Sequence, residues 1–131
     1  MKLNISKGDK LKEVFQVKPK DCISEIDKRL PDLLGTYIIV KWMEIISAKL
    51  AHNSLDDKYI TVGQNINITH TGMVAKGESV TIKSVFIQQA KRKLNFKITL
   101  RLRDEIIAEA EHTRIIIPKR IIQRQMKNEK R

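Results

Sequence analysis

The chain has 131 residues and a formal net charge of +11, with 41% hydrophobic and 31% charged residues. This length is typical of one domain, and a composition so rich in apolar residues excludes a disordered chain. The single cysteine, Cys22, excludes an internal disulfide and a cysteine-rich zinc site. The apolar runs are too short for a membrane helix, and the first ten residues lack the apolar core of a signal peptide. We therefore expect one cytoplasmic domain over residues 1–131.

The positive charge is concentrated at the two ends of the chain. Residues 1–20 carry six Lys or Arg and two acids, and residues 118–131 carry six and one, whereas the residues between them carry fourteen and twelve. Three interpretations stay open: solvated ends, attraction of an anionic small molecule such as a phosphorylated cofactor, and nucleic-acid binding. The last is the least favoured, because no basic stretch is interleaved with aromatic residues that could stack on bases.

The first half of the chain predicts one strand and one long helix. Residues 10–18 are rich in β-forming side chains and end at Pro19, which favours a first strand. Residues 21–34 predict a loop or a short helical turn. A helix is predicted from about Gly35 to His52, with Thr36 as its N-cap.

The second half alternates apolar and polar residues with period two, which is typical of antiparallel strands with one wet face. Four strands are predicted, over Tyr59–Thr69, Ser79–Gln88, Leu94–Arg103 and Ile106–Ile117. In the first, the even positions from Ile60 onward form the expected apolar face, and the basic tail from about residue 119 predicts a frayed helix. A sheet in this order must wrap around the helix to make one core. We predict an α+β hot-dog fold, an antiparallel sheet of about five strands around one central helix.

The predicted helix places one carboxylate among apolar and small side chains. Glu44 lies opposite the main apolar stripe of the helix, beside Met43 and Ala48, and Lys41 is the one cation near it on the helix. Glu44 is therefore expected either to pair across space or to occupy a pocket where desolvation raises its pKa. A helix glutamate is more often structural than catalytic, so this pattern alone assigns no role.

Three histidines are further candidates for chemistry. His52 follows the helix and is predicted to face water, whereas His112 is predicted to be a hydrogen-bonded histidine within the last strand. His70 ends a long strand where a turn begins, which is a favoured place for a reactive group. The three are far apart and form no His-x-x-x-His pair, so we expect neither a metal site nor a cofactor.

Several of these segments resemble the fluoroacetyl-CoA thioesterase-like branch of the hot-dog thioesterases. The similarity runs from about Lys7 to Pro118. The segments that resemble the family are Lys7-Gly8-Asp9, Gly35-Thr36, Trp42-Met43-Glu44, Ile68-Thr69-His70-Thr71 and His112-Thr113-Arg114.

The resemblance implies an enzyme that hydrolyses an acyl-CoA thioester to the free acid and coenzyme A. The family's catalytic constellation falls on Thr36, Glu44 and His70, and its substrate-contacting positions fall on Gly63 and Arg114. Residues 25–34 depart from the fluoroacetate-specific pattern, because they contain no aromatic lid. Three leucines there, at positions 30, 33 and 34, offer only a generic apolar cover, so the acyl group stays open.

The predicted helix also constrains how these residues could cooperate. Thr36 and Glu44 lie about 12 Å apart along the axis, so they cannot bond each other directly. We expect Glu44 to activate water or to attack the carbonyl, His70 to move a proton and Thr36 to orient by hydrogen bonding. Backbone N–H groups at the helix start are candidates for the oxyanion hole.

Other functions of a hot-dog domain stay open on sequence alone. A non-catalytic acyl-CoA-binding or regulatory module is the main alternative, and a basic nucleic-acid binder is the third. The Asp-x-x-x-x-His dyad of hydratases is missing, because Ser47, Asn65 and Ile107 stand five residues before the three histidines. Exposed sheet edges favour a homodimer, since closed two-fold pairing is the commonest way to cover them.

Overall fold

A computed structural model describes residues 3–129 of the chain. Two short 3₁₀ turns, Pro19–Asp21 and Ile23–Glu25, precede the long helix, as expected for a loop with helical turns. The strands and helices are β1 (Lys10–Gln16), α1 (Thr36–His52), β2 (Tyr59–His70), β3 (Ser79–Ala90), β4 (Lys93–Leu102), β5 (Glu105–Pro118) and α2 (Lys119–Glu129).

The five strands form one antiparallel sheet with the order β1-β3-β4-β5-β2. Helix α1 packs against one face of this sheet. The predicted α+β hot-dog architecture, five strands around one long helix, is confirmed. Strands β1 and β2 lie at the two edges, and β2 is long, with twelve residues. An edge strand of that length presents a row of unpaired backbone groups to a partner.

The core lies between α1 and the inner face of the sheet. Ile39, Met43 and Ile46 of the helix have no exposed surface, and each such buried side chain stabilises the fold by about 1.5–3 kcal/mol. Trp42 stacks on Phe15 of β1 with ring centroids 4.7 Å apart. On the sheet, the inward positions of β3 and β4 alternate with wet positions as predicted, with Val80, Ile82, Phe86, Leu94, Phe96, Ile98 and Leu100 buried.

Strand β2 contains an irregularity that the alternation did not reveal. Its register on β5 shifts between Gly63 and Asn65, which is the signature of a β-bulge. Thr61 is therefore buried toward the helix before the bulge, and Ile66 packs on the core after it. The prediction that Ile60 belongs to the inner face is wrong. Odd positions face the core before the bulge and even positions face it after the bulge.

The start of the predicted helix and the last turn also differ slightly from expectation, whereas the helix ends at His52 as predicted. The N-cap of α1 is Gly35, and its cap makes no side-chain hydrogen bond. Thr36 is the first helical residue instead, so its hydroxyl remains available for a contact outside the helix. The turn between β4 and β5 lies at Arg103–Asp104, with Arg103 at a φ of 54°, one residue earlier than the Asp104–Glu105 turn expected between the two predicted strands.

Helix α2 extends from the end of β5 over part of the predicted basic tail. None of its side chains is buried. Lys130 and Arg131, the last two residues of that predicted tail, lie outside the described residues.

Candidate functional site

The first helical turn of α1 meets the end of β2 through one hydrogen bond. Thr36 Oγ1 lies 2.8 Å from His70 Nδ1. Because Gly35 occupies the cap, the N–H groups of the first turn, at Thr36 and Tyr37, have no partners within the helix. The pair therefore combines a hydroxyl, an imidazole and free backbone donors in one place.

The second nitrogen of His70 is buried without a partner among the described residues. Nε2 is the one buried side-chain nitrogen or oxygen atom in that part of the chain that makes no hydrogen bond. Buried polar atoms are rarely left unpaired, because each costs about 1–3 kcal/mol. An imidazole held through Nδ1 with a free Nε2 can accept or deliver a proton at that atom.

A second group of residues forms around Glu44, in the middle of α1. Its Oε1 lies 3.6 Å from Arg114 Nη1 of β5. Of the two expectations for Glu44, an ion pair across space or a desolvating pocket, the structure shows the ion pair. The Glu44 side chain is 44% exposed, whereas that of Arg114 is 7% exposed. Gly63 of β2 packs directly against this carboxylate, since a Cβ there would collide with Glu44 Oε1.

Arg114 is held by hydrogen bonds on three sides. Its Nε donates to Thr61 Oγ1 at 2.8 Å, and its Nη2 donates to the Thr61 carbonyl at 3.1 Å. Its Nη1 donates to His112 Nε2 at 3.1 Å. The pKa of Arg114 is lowered by burial, an effect that the charge of Glu44 opposes. The guanidinium is thus fixed in place, with one edge directed at the carboxylate.

Two histidines complete this network, and both are neutral in it. His112 Nδ1 donates to the Asn65 carbonyl at the bulge, which leaves Nε2 to accept from Arg114. His52 Nε2 accepts from the Thr61 N–H at 3.0 Å and lies 3.0 Å from Thr61 Oγ1. Burial lowers the pKa of both imidazoles, and the charge of Arg114 lowers both further.

The two groups of residues do not meet within one chain. Thr36 and Glu44 are separated by about 12 Å along α1, and Gly63 and His70 by roughly 20 Å along β2. Among residues 3–129, no hydrogen bond or ion pair links the Thr36–His70 pair to Glu44 or Arg114. The structure therefore places the five predicted site residues in two clusters along the contact between α1 and β2.

Sequence reasoning missed part of the second cluster. His52 is exposed, as expected, but its ring also bonds to Thr61, because the end of α1 lies against the start of β2. Thr61 was not singled out at all, since only the bulge turns it inward. A usable signal did exist for His112, which is two residues from Arg114 and therefore shares its face of β5.

The predicted apolar cover also needs a correction. Leu34 is 3% exposed and belongs to the core, where its N–H donates to the Val74 carbonyl. Leu33 is half-buried, so Leu30, at 41% exposed, is the one leucine of the three that is largely free to contact a ligand.

Within residues 3–129, no three His, Cys, Asp or Glu side chains converge as metal ligands would. No helix in the same range combines the length and the apolar composition needed to cross a membrane.

The sheet with its packed helix defines a hot-dog domain, and its similarity to a known family makes it a thioester hydrolase of the hot-dog thioesterases. A protein-family comparison matches residues 17–120 to the fluoroacetyl-CoA-specific thioesterase, FlK. That match covers most of the chain, and the chain belongs to this family. A comparison with curated proteins gave no match.

Solved structures of similar proteins share the fold over nearly the whole chain. The fluoroacetyl-CoA thioesterase FlK superposes with a TM-score of 0.87 at 18% identity, covering 95% of this chain and 97% of that one. A thioesterase superfamily member from Thermus thermophilus gives 0.89 at 16% identity, with 96% and 93% covered. A hot-dog-like protein from Thermanaerovibrio acidaminovorans gives 0.88 at 13% identity, with 94% and 91% covered.

Proposed function

We propose that the protein hydrolyses an acyl-CoA thioester to a free acid and coenzyme A through Thr36, Glu44 and His70. The observation that carries the proposal is the Thr36–His70 hydrogen bond, which leaves the buried Nε2 of the imidazole unpaired. Family membership supports thioester hydrolysis in general, and these residues supply the groups that such a reaction needs. As part of the same proposal, the enzyme acts in the cytoplasm, without a metal or cofactor.

The separation of the two clusters favours a homodimer with a site shared between subunits. Strand β2 lies at the sheet edge, where a second copy can pair with it antiparallel. A two-fold axis between Ile66 and Asn67 then sets Gly63 of one copy opposite His70 of the other. Because Gly63 contacts Glu44, this register brings the carboxylate of one subunit toward the Thr36–His70 pair of its partner.

Each group has a separate role in this reaction. Glu44 activates a water molecule or attacks the thioester carbonyl itself, and His70 passes a proton to the departing thiolate as the carbon–sulfur bond breaks. Thr36 fixes the orientation of the imidazole. The free N–H groups of Thr36 and Tyr37 stabilise the negative charge that develops on the carbonyl oxygen.

The two possible roles of Glu44 can be separated by a single-turnover experiment. An acid-quenched reaction is examined by mass spectrometry for an acyl group on the peptide that contains Glu44. An acyl adduct that disappears on longer incubation identifies a nucleophile. The same reaction is run in water labelled with heavy oxygen. If no adduct forms and the acid released in the first turnover carries the label, Glu44 acts as a general base.

Gly63 and Arg114 contribute to substrate binding in this proposal. The missing side chain at Gly63 lets the carboxylate lie directly against β2, and the buried guanidinium presents a fixed positive edge. Tyr37 and Met73, which lie within three residues of Thr36 and His70 in sequence, are 45% and 76% exposed and offer apolar surface to an acyl group. A substituted form of FlK has been solved with acetyl-CoA, which makes a short acyl-CoA the first substrate to test.

The direct test is free-thiol release from a panel of acyl-CoA thioesters of short to long chain. Turnover that is lost in Glu44→Gln supports the proposal. Saturable binding of acyl-CoA without any thiol release by the wild type would instead indicate a binding or regulatory module. Tight, strongly salt-dependent binding of an oligonucleotide with no acyl-CoA binding would indicate a nucleic-acid binder.

A further inference from the structure

A basic groove opens at the end of the sheet beyond Arg114. It has a volume of about 590 Å³ and forms where the start of β2, the turn before β4 and the junction of β5 with α2 meet. Its lining residues, which define the basic groove, are Asp57, Lys58, Tyr59, Arg92, Pro118, Lys119 and Arg120. Four of these seven residues are cations and one is an acid.

The four cations of the groove lack carboxylate partners. Among the described residues, the charged side-chain groups of Lys58, Arg92, Lys119 and Arg120 make no ion pair or hydrogen bond. The nearest carboxylate bond is made by the backbone N–H of Lys58, which donates to Asp56 Oδ1 at 2.9 Å. The charged heads of these side chains are therefore free to bind an anion without first breaking a salt bridge. Asp57 is the only opposing charge in the lining.

Backbone hydrogen bonds fix the segments that present these cations. The N–H of Lys119 donates to the Lys58 carbonyl at 2.9 Å, which joins the end of β5 to the start of β2. The N–H of Ile116 donates to the Arg92 carbonyl at 2.9 Å, which joins the turn before β4 to the same end of β5. The backbone segments that carry these cations are therefore held in fixed positions by hydrogen bonds, although the cationic side chains themselves are exposed.

The groove lies a short distance along β5 and β2 from the Glu44–Arg114 cluster. Pro118 is four residues beyond Arg114 on β5, or roughly 13 Å at strand spacing, and both are buried toward the helix side of the sheet. The ring of His52 bonds to Thr61 and is near enough to both regions that the charges of Arg114 and Lys119 lower its pKa. Tyr59 and Thr61 continue the same face on the neighbouring strand.

We propose that the basic groove binds the phosphate groups of the coenzyme A moiety, with the pantetheine arm extending along β2 and β5 to the Glu44–Arg114 cluster. This inference rests on the proposed function, since it assigns the opposite end of the same substrate. An extended pantetheine arm is about as long as four to five extended residues, which matches the span between the cluster and the groove. Tyr59 and Pro118 supply an apolar surface beside the charges.

A second basic patch provides a matched control. On the opposite face of the sheet, Lys12, Lys83, Arg101 and Arg103 line a smaller groove of about 240 Å³. It shares the positive charge of the first groove, but its lysines face away from α1 and are remote from Arg114. Removing two lysines there changes the net charge of the protein by the same amount.

The test compares Arg92→Gln/Lys119→Gln with Lys12→Gln/Lys83→Gln. Each is assayed with acetyl-CoA and with acetyl-pantetheine, which has the same thioester but no phosphates. We expect the first variant to raise KM for acetyl-CoA about tenfold, with kcat nearly unchanged and no change for acetyl-pantetheine. The KM of the wild type should also rise more steeply with salt than that of this variant.

The control variant should behave as the wild type with both substrates. An unchanged KM for acetyl-CoA in the groove variant, or an equal rise in the control variant, would overturn the inference. An equal rise of the groove variant's KM for acetyl-pantetheine would also overturn the inference, because that substrate has no phosphates.

Direct binding separates this inference from the proposed function. If the wild type releases no thiol from either substrate, calorimetric binding of coenzyme A decides the matter. Weaker binding in the groove variant alone upholds the phosphate site while the hydrolytic proposal fails. Equal binding in the wild type and both variants overturns the phosphate site as well.

Discussion

Thr36 and His70 are 34 residues apart in sequence, yet Thr36 Oγ1 lies 2.8 Å from His70 Nδ1. This contact exists because the helix begins one residue earlier than a Thr36 cap predicts, with Gly35 as the cap. A threonine that capped the helix would turn its hydroxyl to its own backbone N–H groups. Freed from that task, Thr36 can fix the imidazole at the end of β2.

Glu44→Gln and His70→Ala should each lower turnover by orders of magnitude if both residues act in one catalytic unit. The double variant should be little worse than the more damaged single variant, because groups that act together are strongly non-additive. Thr36→Ala should cost less, about 1–3 kcal/mol of transition-state stabilisation. The measurements are thiol release from acetyl-CoA and melting curves. A large loss of stability in Glu44→Gln with near-normal turnover would mean that the carboxylate is structural.

Gly63→Ala should impair turnover with little effect on stability. The new Cβ collides with Glu44 Oε1, which is the mobile end of a half-exposed side chain and can move away at low cost. Moving the carboxylate changes its position relative to the substrate, whereas the buried His112 ring, whose Cε1 lies 3.3 Å from the new Cβ, has to shift only slightly. We expect a melting temperature close to that of the wild type and a clear fall in kcat/KM. Wild-type kcat/KM in this variant would show that the position of Glu44 is not critical.

Thr61→Val should remove the hydrogen bond that holds the Arg114 guanidinium in place, and Thr61→Ser should keep that bond. Valine has nearly the shape of threonine but removes the oxygen that accepts from Arg114 Nε and contacts His52. Leaving a buried charged donor unpaired costs about 1–3 kcal/mol or more. We expect lower stability and a higher KM in Thr61→Val, with recovery of both in Thr61→Ser. Equal effects of the two substitutions would exclude the hydroxyl as the cause.

His112 should make the stability of the protein depend on pH. Burial lowers its pKa from the ordinary value of 6.5, helped by the charge of Arg114 and opposed by Glu44 and the Asn65 carbonyl. Between the lowered value and 6.5, the unfolded chain binds a proton that the folded chain refuses, so stability falls as pH falls through this window. Denaturant unfolding at pH 5 to 8 should show a smaller loss in His112→Gln than in the wild type. If the free energy of unfolding falls with pH equally in His112→Gln and in the wild type, this role of His112 is contradicted. His52 alone would then have to account for the pH dependence.

Deleting residues 121–131 should leave the fold and most of the turnover intact. The described side chains of α2 are not buried, and the alternating core pattern ends before this helix. The deletion keeps Lys119 and Arg120 in the basic groove. Circular dichroism, melting curves and thiol release should match the full chain closely. Failure of the shortened protein to fold would show that the tail docks on the domain.

The sequence predicted the sheet well because period-two alternation is a local signal. The unbroken pattern from Leu94 to Leu102 translates directly into β4, whose even positions are buried up to Leu100 and half-buried at Leu102. The bulge at Gly63 could not be predicted in the same way, because an extra residue in one strand is defined only by its partner. The inward orientation of Thr61 was therefore not predicted, nor were the hydrogen bonds by which Thr61 holds Arg114.

The candidate site was predicted as a list of residues rather than as an arrangement. Resemblance to the family named Thr36, Glu44, His70, Gly63 and Arg114, and the structure groups them in two clusters. Helix geometry had already indicated that Thr36 and Glu44 cannot touch, since about 12 Å separates them along α1. Whether a second chain closes that gap is a property of the assembly, which no pattern within one chain encodes.

The central claim is that the Thr36–His70 pair of one subunit works with Glu44 of the other. Mixed dimers test it directly: Glu44→Gln and His70→Ala subunits are unfolded together, refolded and assayed for thiol release from acetyl-CoA. Each mixed dimer should contain one site with both groups intact, so a statistical mixture should regain about a quarter of the wild-type rate. Mixing His70→Ala with Thr36→Ala, which damage the same cluster, should restore nothing beyond the activity of the separate variants. A Glu44→Gln and His70→Ala mixture that stays as inactive as its parents, although mixed dimers form, would contradict the shared site.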